Sequence, residues 1–209
     1  PNATMGDLGK HAQLLRDNQT EWNIAEQDIK LGEQVCQKVI TPAIKELRYA
    51  GRRLVDALSQ IANGGTDEAI CALLQDARFD CHRARHDAID AATAKIAIDL
   101  DLMAKKLGYD AVLQAHPKFA EFNSDLQSAL GEIAGSRAKR EARQDIYAEL
   151  EKVKFPELVA EFRKLKANEP IMKSLAGKRR VGVAVSYIFG VAGLIGTIFT
   201  IWSYYHAAG

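Results

Sequence analysis

Apolar positions recur along most of this chain at intervals of three and four, the spacing that lines one face of a helix. From Glu21 to Ile61 the pattern runs through Ile40, Ile44, Leu47, Gly51, Leu54, Leu58 and Ile61. Pro42 lies inside it, so a kink or break is predicted near Thr41. Asn63-Gly64-Gly65 closes the segment, because glycine takes the left-handed conformation of a helix end at no steric cost. Thr66 then caps a second long helix, with Asp67 and Glu68 at the positive end of its dipole. No breaker follows until Gly108. A nearly strict seven-residue stripe runs through Ile70, Leu74, Ala77, Cys81, Ala84, Ala88, Ala91, Ile98 and Leu102, broken at Lys95. Its alanine-rich middle predicts close approach of a partner helix, and Asp87 is predicted to face solvent.

After a turn at Gly108-Tyr109-Asp110, a third helical region is expected from Pro117 to Lys152. Phe155-Pro156 predicts a restart over Glu157–Lys166, and Asn168-Glu169-Pro170 another, with proline suited to a first helical turn. Residues 1–20 contain Asn2, Gly6, Gly9 and Asn18 with weak periodicity. They are expected to form a loosely held lead-in with one short helix near His11–Arg16. The pattern as a whole predicts an all-α chain, an antiparallel bundle or coiled coil of long helices over residues 21–168. A linker helix and anchor follow over residues 169–209.

The anchor is predicted from residues 181–205, which carry no charge. As a helix they would extend about 37 Å, against roughly 30 Å of bilayer hydrocarbon. Lys173, Lys178, Arg179 and Arg180 flank one end, and Trp202, Tyr204 and Tyr205 the other, as at a membrane boundary. The basic flank places the helical domain in the cytoplasm of a single-pass protein, in an inner or other cellular membrane. Gly182, Ser186, Gly190, Gly193, Thr197 and Thr200 form one stripe of small residues within the span. Small side chains let membrane helices approach closely, so homo-oligomers, or pairing with another protein or a further span, are expected.

The composition adds constraints. A net charge of +1 excludes a polycation, so contact with nucleic acid or anionic lipid would need a local patch. Arg48, Arg52 and Arg53 form one such patch, and Arg137, Lys139, Arg140 and Arg143 another. Both are diluted by Glu46, Asp56, Glu141 and Asp145 and lack stacking aromatics, so salt-bridged surface is the expected state. Cys36, Cys71 and Cys81 have no metal or redox spacing and read as reduced thiols. The first thirty residues contain no apolar run, so no leader peptide is expected there; Pro1 in place of Met implies a processed or longer N-terminus.

Candidate chemistry is sparse. His82, His86 and Asp90 recur every four residues on one helical face, the arrangement of a partial Zn²⁺ or Fe²⁺ ligand set. That face points away from the alanine stripe, so charged, solvated surface is the expected state. Cys81 lies in the packing stripe, and no glycine-rich phosphate loop follows a strand. His11 and His116 are too distant in the chain to place. No catalytic residue, resident metal or cofactor is therefore expected, and the chain is read as no enzyme. Its partners would be membrane lipid and either its own copies or another protein. The plan of a helical sensor on a minimal membrane module is that of small bacterial toxins and antiviral defence effectors, an analogy of architecture alone. The alternative is a tail-anchored scaffold that tethers a complex.

Overall fold

A computed structural model describes residues 9–138, 143–179 and 186–187, without the side chains of residues 137 and 138. Every regular element among them is helical. In chain order these are α1 (Ala12–Cys36), α2 (Thr41–Ala62), α3 (Asp67–Leu107), α4 (Tyr109–Ala115), α5 (Phe119–Ala138) and α6 (Arg143–Glu149). A π-helical turn (Leu150–Lys154) leads into α7 (Phe155–Ala167), and α8 covers residues 169–179. The chain divides into two compact units: Pro1–Asp101 with Glu121–Arg163, and Leu102–Ala120 with Lys164–Gly209.

The helix ends follow local chemistry. Gln37 adopts a left-handed conformation after α1 (φ 54°), and Pro42 sits in the first turn of α2, where its missing N–H costs nothing. The break expected near Thr41 thus occupies residues 37–40. Gly64 has φ +72° and Gly65 N–H reaches the Gln60 carbonyl at 2.8 Å. Thr66 Oγ1 accepts from Ala69 N–H at 3.3 Å, the capping bond its position predicts. Gly108, at φ +88°, ends α3.

Three expectations are corrected. Residues 12–20 are not a loose lead-in but the first turns of a 25-residue helix, with His11 and Asn18 buried. The restart expected at Phe155-Pro156 is absent, since the π turn runs directly into α7. Proline clashes with the carbonyl four residues earlier, and the wider turn relieves this by sending the Phe155 N–H to Leu150 O. Finally, the core face is not the one traced by the largest side chains. On α2 the buried residues are Ala43, Leu47, Ala50, Ala57 and Ile61, while Ile44 and Leu58 are exposed. On α3 the predicted stripe holds through Ala88, then shifts to Ala92, Ile96, Leu100 and Met103, leaving Ile98 and Leu102 exposed. A straight helix drifts relative to a seven-residue repeat by about 20° per heptad, so over 41 residues the contact face must rotate.

In the first unit, Ala57, Ile61, Ile70 and Leu74 form an apolar cluster joined by Leu14, Leu15, Leu54 and Leu73. α2 runs antiparallel to α3, as Ile61 lies near Ile70 in this cluster and Glu46 pairs with Arg83 further along. α1 runs parallel to α3, since Asn18 bonds the Leu74 carbonyl and Gly32 abuts Ala88. A Cβ on Gly32 would lie 3.1 Å from the Ala88 carbonyl oxygen and 2.9 Å from Ile40. The close approach predicted at the alanine-rich middle of α3 is made there by α1, with glycine supplying the space.

In the second unit, α4 and α8 are tied by Arg179 to Asp110 at 2.6 Å. Asn168, in the turn between α7 and α8, donates to the Ala115 carbonyl at 3.1 Å. Met172, Ala176 and Val112 are buried. Among the described residues no helix is long and apolar enough to cross a membrane. Of the predicted span only Ser186 and Tyr187 are described, both helical and exposed. Arg180, Gly182, Gly190, Gly193, Thr197, Thr200, Trp202, Tyr204 and Tyr205 lie outside the described residues.

Candidate functional site

The site begins with one turn pattern on α1. Asn18, Glu21, Ala25, Asp28 and Gly32 recur at spacings of three and four and turn toward α3. This is a packing stripe in which two positions are acidic. α3 answers with Arg85, whose side chain is 9% exposed. Arg85 Nη1 donates to Glu21 Oε2 at 2.6 Å and its Nε to Asp28 Oδ2 at 3.3 Å. Its Nη2 donates to Glu151 of the π turn. One guanidinium therefore clasps carboxylates from two other elements.

His82 and His86 flank this clasp. His82 Nδ1 lies 3.7 Å from Glu21 Oε2, and its Nε2 is 3.1 Å from Gln144 Nε2. His86 stacks on Tyr147 of α6, ring centroids 3.7 Å apart. The Tyr147 hydroxyl donates to Asp90, and Arg143 lies over the same tyrosine ring. The face carrying His82, His86 and Asp90, expected to be solvated, is instead covered by α6. Asp87 is likewise half-buried rather than exposed. Of the metal reading's ligands, Asp90 is engaged by the Tyr147 hydroxyl and His82 by Gln144, while the His86 ring is stacked on Tyr147. Among the described residues no group of three or more His, Cys, Asp or Glu is placed to hold a metal ion.

Burial sets the protonation of the cluster. It pushes His86 down to about 3, with Arg143, His82 and Arg85 adding repulsion, so this imidazole is neutral at pH 7. His82 is lowered by the same desolvation, opposed by Glu21. Desolvation raises Asp28 above its ordinary value, while Arg85 pulls it back. Tyr147 is pushed up to about 12 by burial and by the carboxylate of Asp90. Cys81 is pushed up to about 12 by burial beside Glu21 and Asp80, as expected of a core thiol.

The basic patches separate. Arg53 turns inward to Asp76 (2.9 Å) and to the buried Asp80 (3.2 Å). Arg52 approaches Asp56 at 3.9 Å, and Arg48 lies over the neighbouring Tyr49 ring. Of the second patch, Arg143 belongs to the cluster just described. Lys139, Arg140 and the side chain of Arg137 lie outside the described residues. Of the residues expected to flank a membrane, Lys178 and Arg179 are exposed. His116 is buried in the second unit.

Sequence reasoning missed Glu21, Asp28, Glu151 and Tyr147. A signal for the first two was present, since acids at a seven-residue interval within a stripe of small residues demand a buried cation. Glu151 and Tyr147 carry no such signal, because only the path of the chain after α5 brings them to α3. The cluster can hold protons and fix helix partners, and its groups are shielded from solvent. Compared with known proteins, the chain matches no protein-family model, no curated protein and no solved structure.

Proposed function

We propose that this protein is a membrane-attached helical effector that self-associates through residues 181–205, with its bundle restraining or triggering that assembly. The observation that carries the reading is the uncharged run of 181–205 behind Lys178-Arg179-Arg180. A segment of that length and composition partitions into a bilayer. The small-residue stripe from Gly182 to Thr200 supports assembly, because lipid offers apolar helices no hydrophobic drive to pair and close packing must supply it. The clasp on Arg85 supports a restraining role: it fixes which helices pair and gives the bundle a defined closed arrangement.

The test is expression of the full chain with fractionation, crosslinking and a membrane-potential dye. The full chain is expected to stay with membranes through an alkaline carbonate wash, to crosslink to itself and to depolarise the cell. Gly190→Ile with Gly193→Ile should stay inserted but lose both crosslinking and depolarisation. Retention without any effect on potential would leave the tether as the better account. A full chain that washes off the membrane refutes both.

A further inference from the structure

The junction where the chain enters α1 meets the first turns of α3, and three side chains from these two places converge. Cys71 Sγ lies 3.9 Å from His11 Nδ1. His11 Nε2 lies 3.4 Å from Asp67 Oδ1. The other oxygen of Asp67 is taken by Lys10. His11 is buried at 4% exposure, whereas Cys71 is half-buried. The order thiol, imidazole, carboxylate is that of an activated nucleophile, a base within reach of its proton and a group that orients the base. Asp67 favours the tautomer with hydrogen on Nε2, leaving Nδ1 free to accept from the thiol.

We infer that Cys71, His11 and Asp67 form a proton relay that makes Cys71 a site of thiol–disulfide exchange with small-molecule disulfides. In the exchange, Sγ attacks one sulfur of the disulfide while its proton passes to His11 Nδ1. The S–S bond breaks, and a mixed disulfide forms on Cys71. The second sulfur leaves with the bonding electrons as a thiolate and takes the proton from His11, so one disulfide replaces another with no net redox change. Asp67 stabilises the transient imidazolium. Cys81 cannot resolve the product: ten residues along the same helix, it lies roughly 15 Å away. The mixed disulfide therefore persists until an external thiol removes it. Ile70, the sequence neighbour of Cys71, belongs to the apolar cluster that joins α1, α2 and α3, so the modification would fall beside the packing at that end of the first unit.

The test uses the purified full-length chain in detergent, oxidised glutathione as the probe, and peptide mass spectrometry to follow each cysteine separately. At pH 7, Cys71 should acquire glutathione while Cys36 and Cys81 do not. His11→Gln should slow the reaction about tenfold, because without a base in reach only the few per cent of a free thiol that is thiolate at pH 7 attacks. Asp67→Asn should slow it less. At pH 9 the His11→Gln variant should recover most of the parent's rate, because hydroxide then ionises the thiol directly. A variant that had merely loosened would instead modify all three cysteines faster at both pH values. Equal rates at pH 7 for parent and His11→Gln overturn the relay, as does indiscriminate modification of the three cysteines in the parent.

Discussion

Two stretches of α3 a few turns apart are held in opposite ways. Around Ile70 and Leu74 the contacts to α1 and α2 are mainly apolar side chains, with Ala57, Ile61, Leu14 and Leu15 closing over them and Asn18 adding one bond to the Leu74 carbonyl. Around Arg85 the same helix meets α1 and the π turn through a guanidinium and three carboxylates. Apolar contact is non-directional, so apart from the Asn18 bond the first region would tolerate rotation or a shift of its partners. The second allows neither, because displacing Glu21, Asp28 or Glu151 strands a charge away from water. One end of the helix supplies the drive to associate and the middle supplies the register.

The largest effect should come from breaking the polar region. Arg85→Met keeps most of the side-chain volume but leaves three half-buried acids without the guanidinium they share, Glu21 alone keeping a second cation in Arg78. It should cost about 3–5 kcal/mol in urea unfolding, and adding Glu21→Gln and Glu151→Gln should recover part of that loss. A cost below that of an exposed ion pair would show that the clasp does not set register.

A smaller effect should follow at the seam about one turn beyond Arg85. Ala88 is fully buried and its carbonyl faces Gly32. Ala88→Leu should overpack this contact and lower stability by about 1–3 kcal/mol. Ala91→Leu, at a half-buried position the heptad would equate with it, should cost less. Equal melting temperatures for the two variants would mean that the α1–α3 approach is looser than described.

The polar region should also be the acid-sensitive one. His86 is held neutral, pushed down to about 3, whereas unfolded it would bind a proton near 6.5. A depressed histidine stabilises the fold above its unfolded value, and that contribution falls as pH drops from 6.5 toward 3. The slope from this one group is at most about 1.4 kcal/mol per pH unit. Asp28, Asp80 and Asp87 work in the opposite sense, since burial raises them. Their contribution is full below the ordinary carboxylate value and is lost as pH rises through their raised ones. Between pH 6.5 and 5 the histidine should dominate, so His86→Asn should flatten the fall in melting temperature over that range. An unchanged slope would assign the acid sensitivity elsewhere.

The smallest effect should be a gain outside both regions. Gly131 lies within α5 and a Cβ there would meet nothing. Gly131→Ala should raise stability by about 0.5–1 kcal/mol, chiefly by restricting the unfolded chain. A loss, read from the same unfolding curves, would place a contact at α5 that the fold does not contain.

Much of the architecture was legible without coordinates. Helices, the Asn63-Gly64-Gly65 stop, the Thr66 cap and the Gly108 break follow from backbone preferences that act over a few residues. Periodicity also located the α3 core as far as Ala88. Large residues then misled it: at Ile44 and Leu58 because proximity of helix backbones selects small residues for the inside, and at Ile98 and Leu102 because the contact face of a long helix rotates away from a seven-residue repeat. The polar site was legible only in halves. His82, His86 and Asp90 share a face by spacing alone, and Glu21 and Asp28 share another. That Arg85 joins them, and that Tyr147 and Glu151 cover the histidines, depends on the return of the chain after α5.

What the sequence by itself determined is therefore what is periodic and local: an all-helical chain, most of its breaks, and an uncharged run at residues 181–205. Tertiary structure decided which helix face is core and which charges are buried. It decided too that His11 and Cys71, sixty residues apart, stand within reach of one another. The physical reason is the range of the forces. Backbone propensity and hydrophobic spacing are properties of neighbouring residues, whereas desolvation and charge pairing depend on what the rest of the chain brings to the same place.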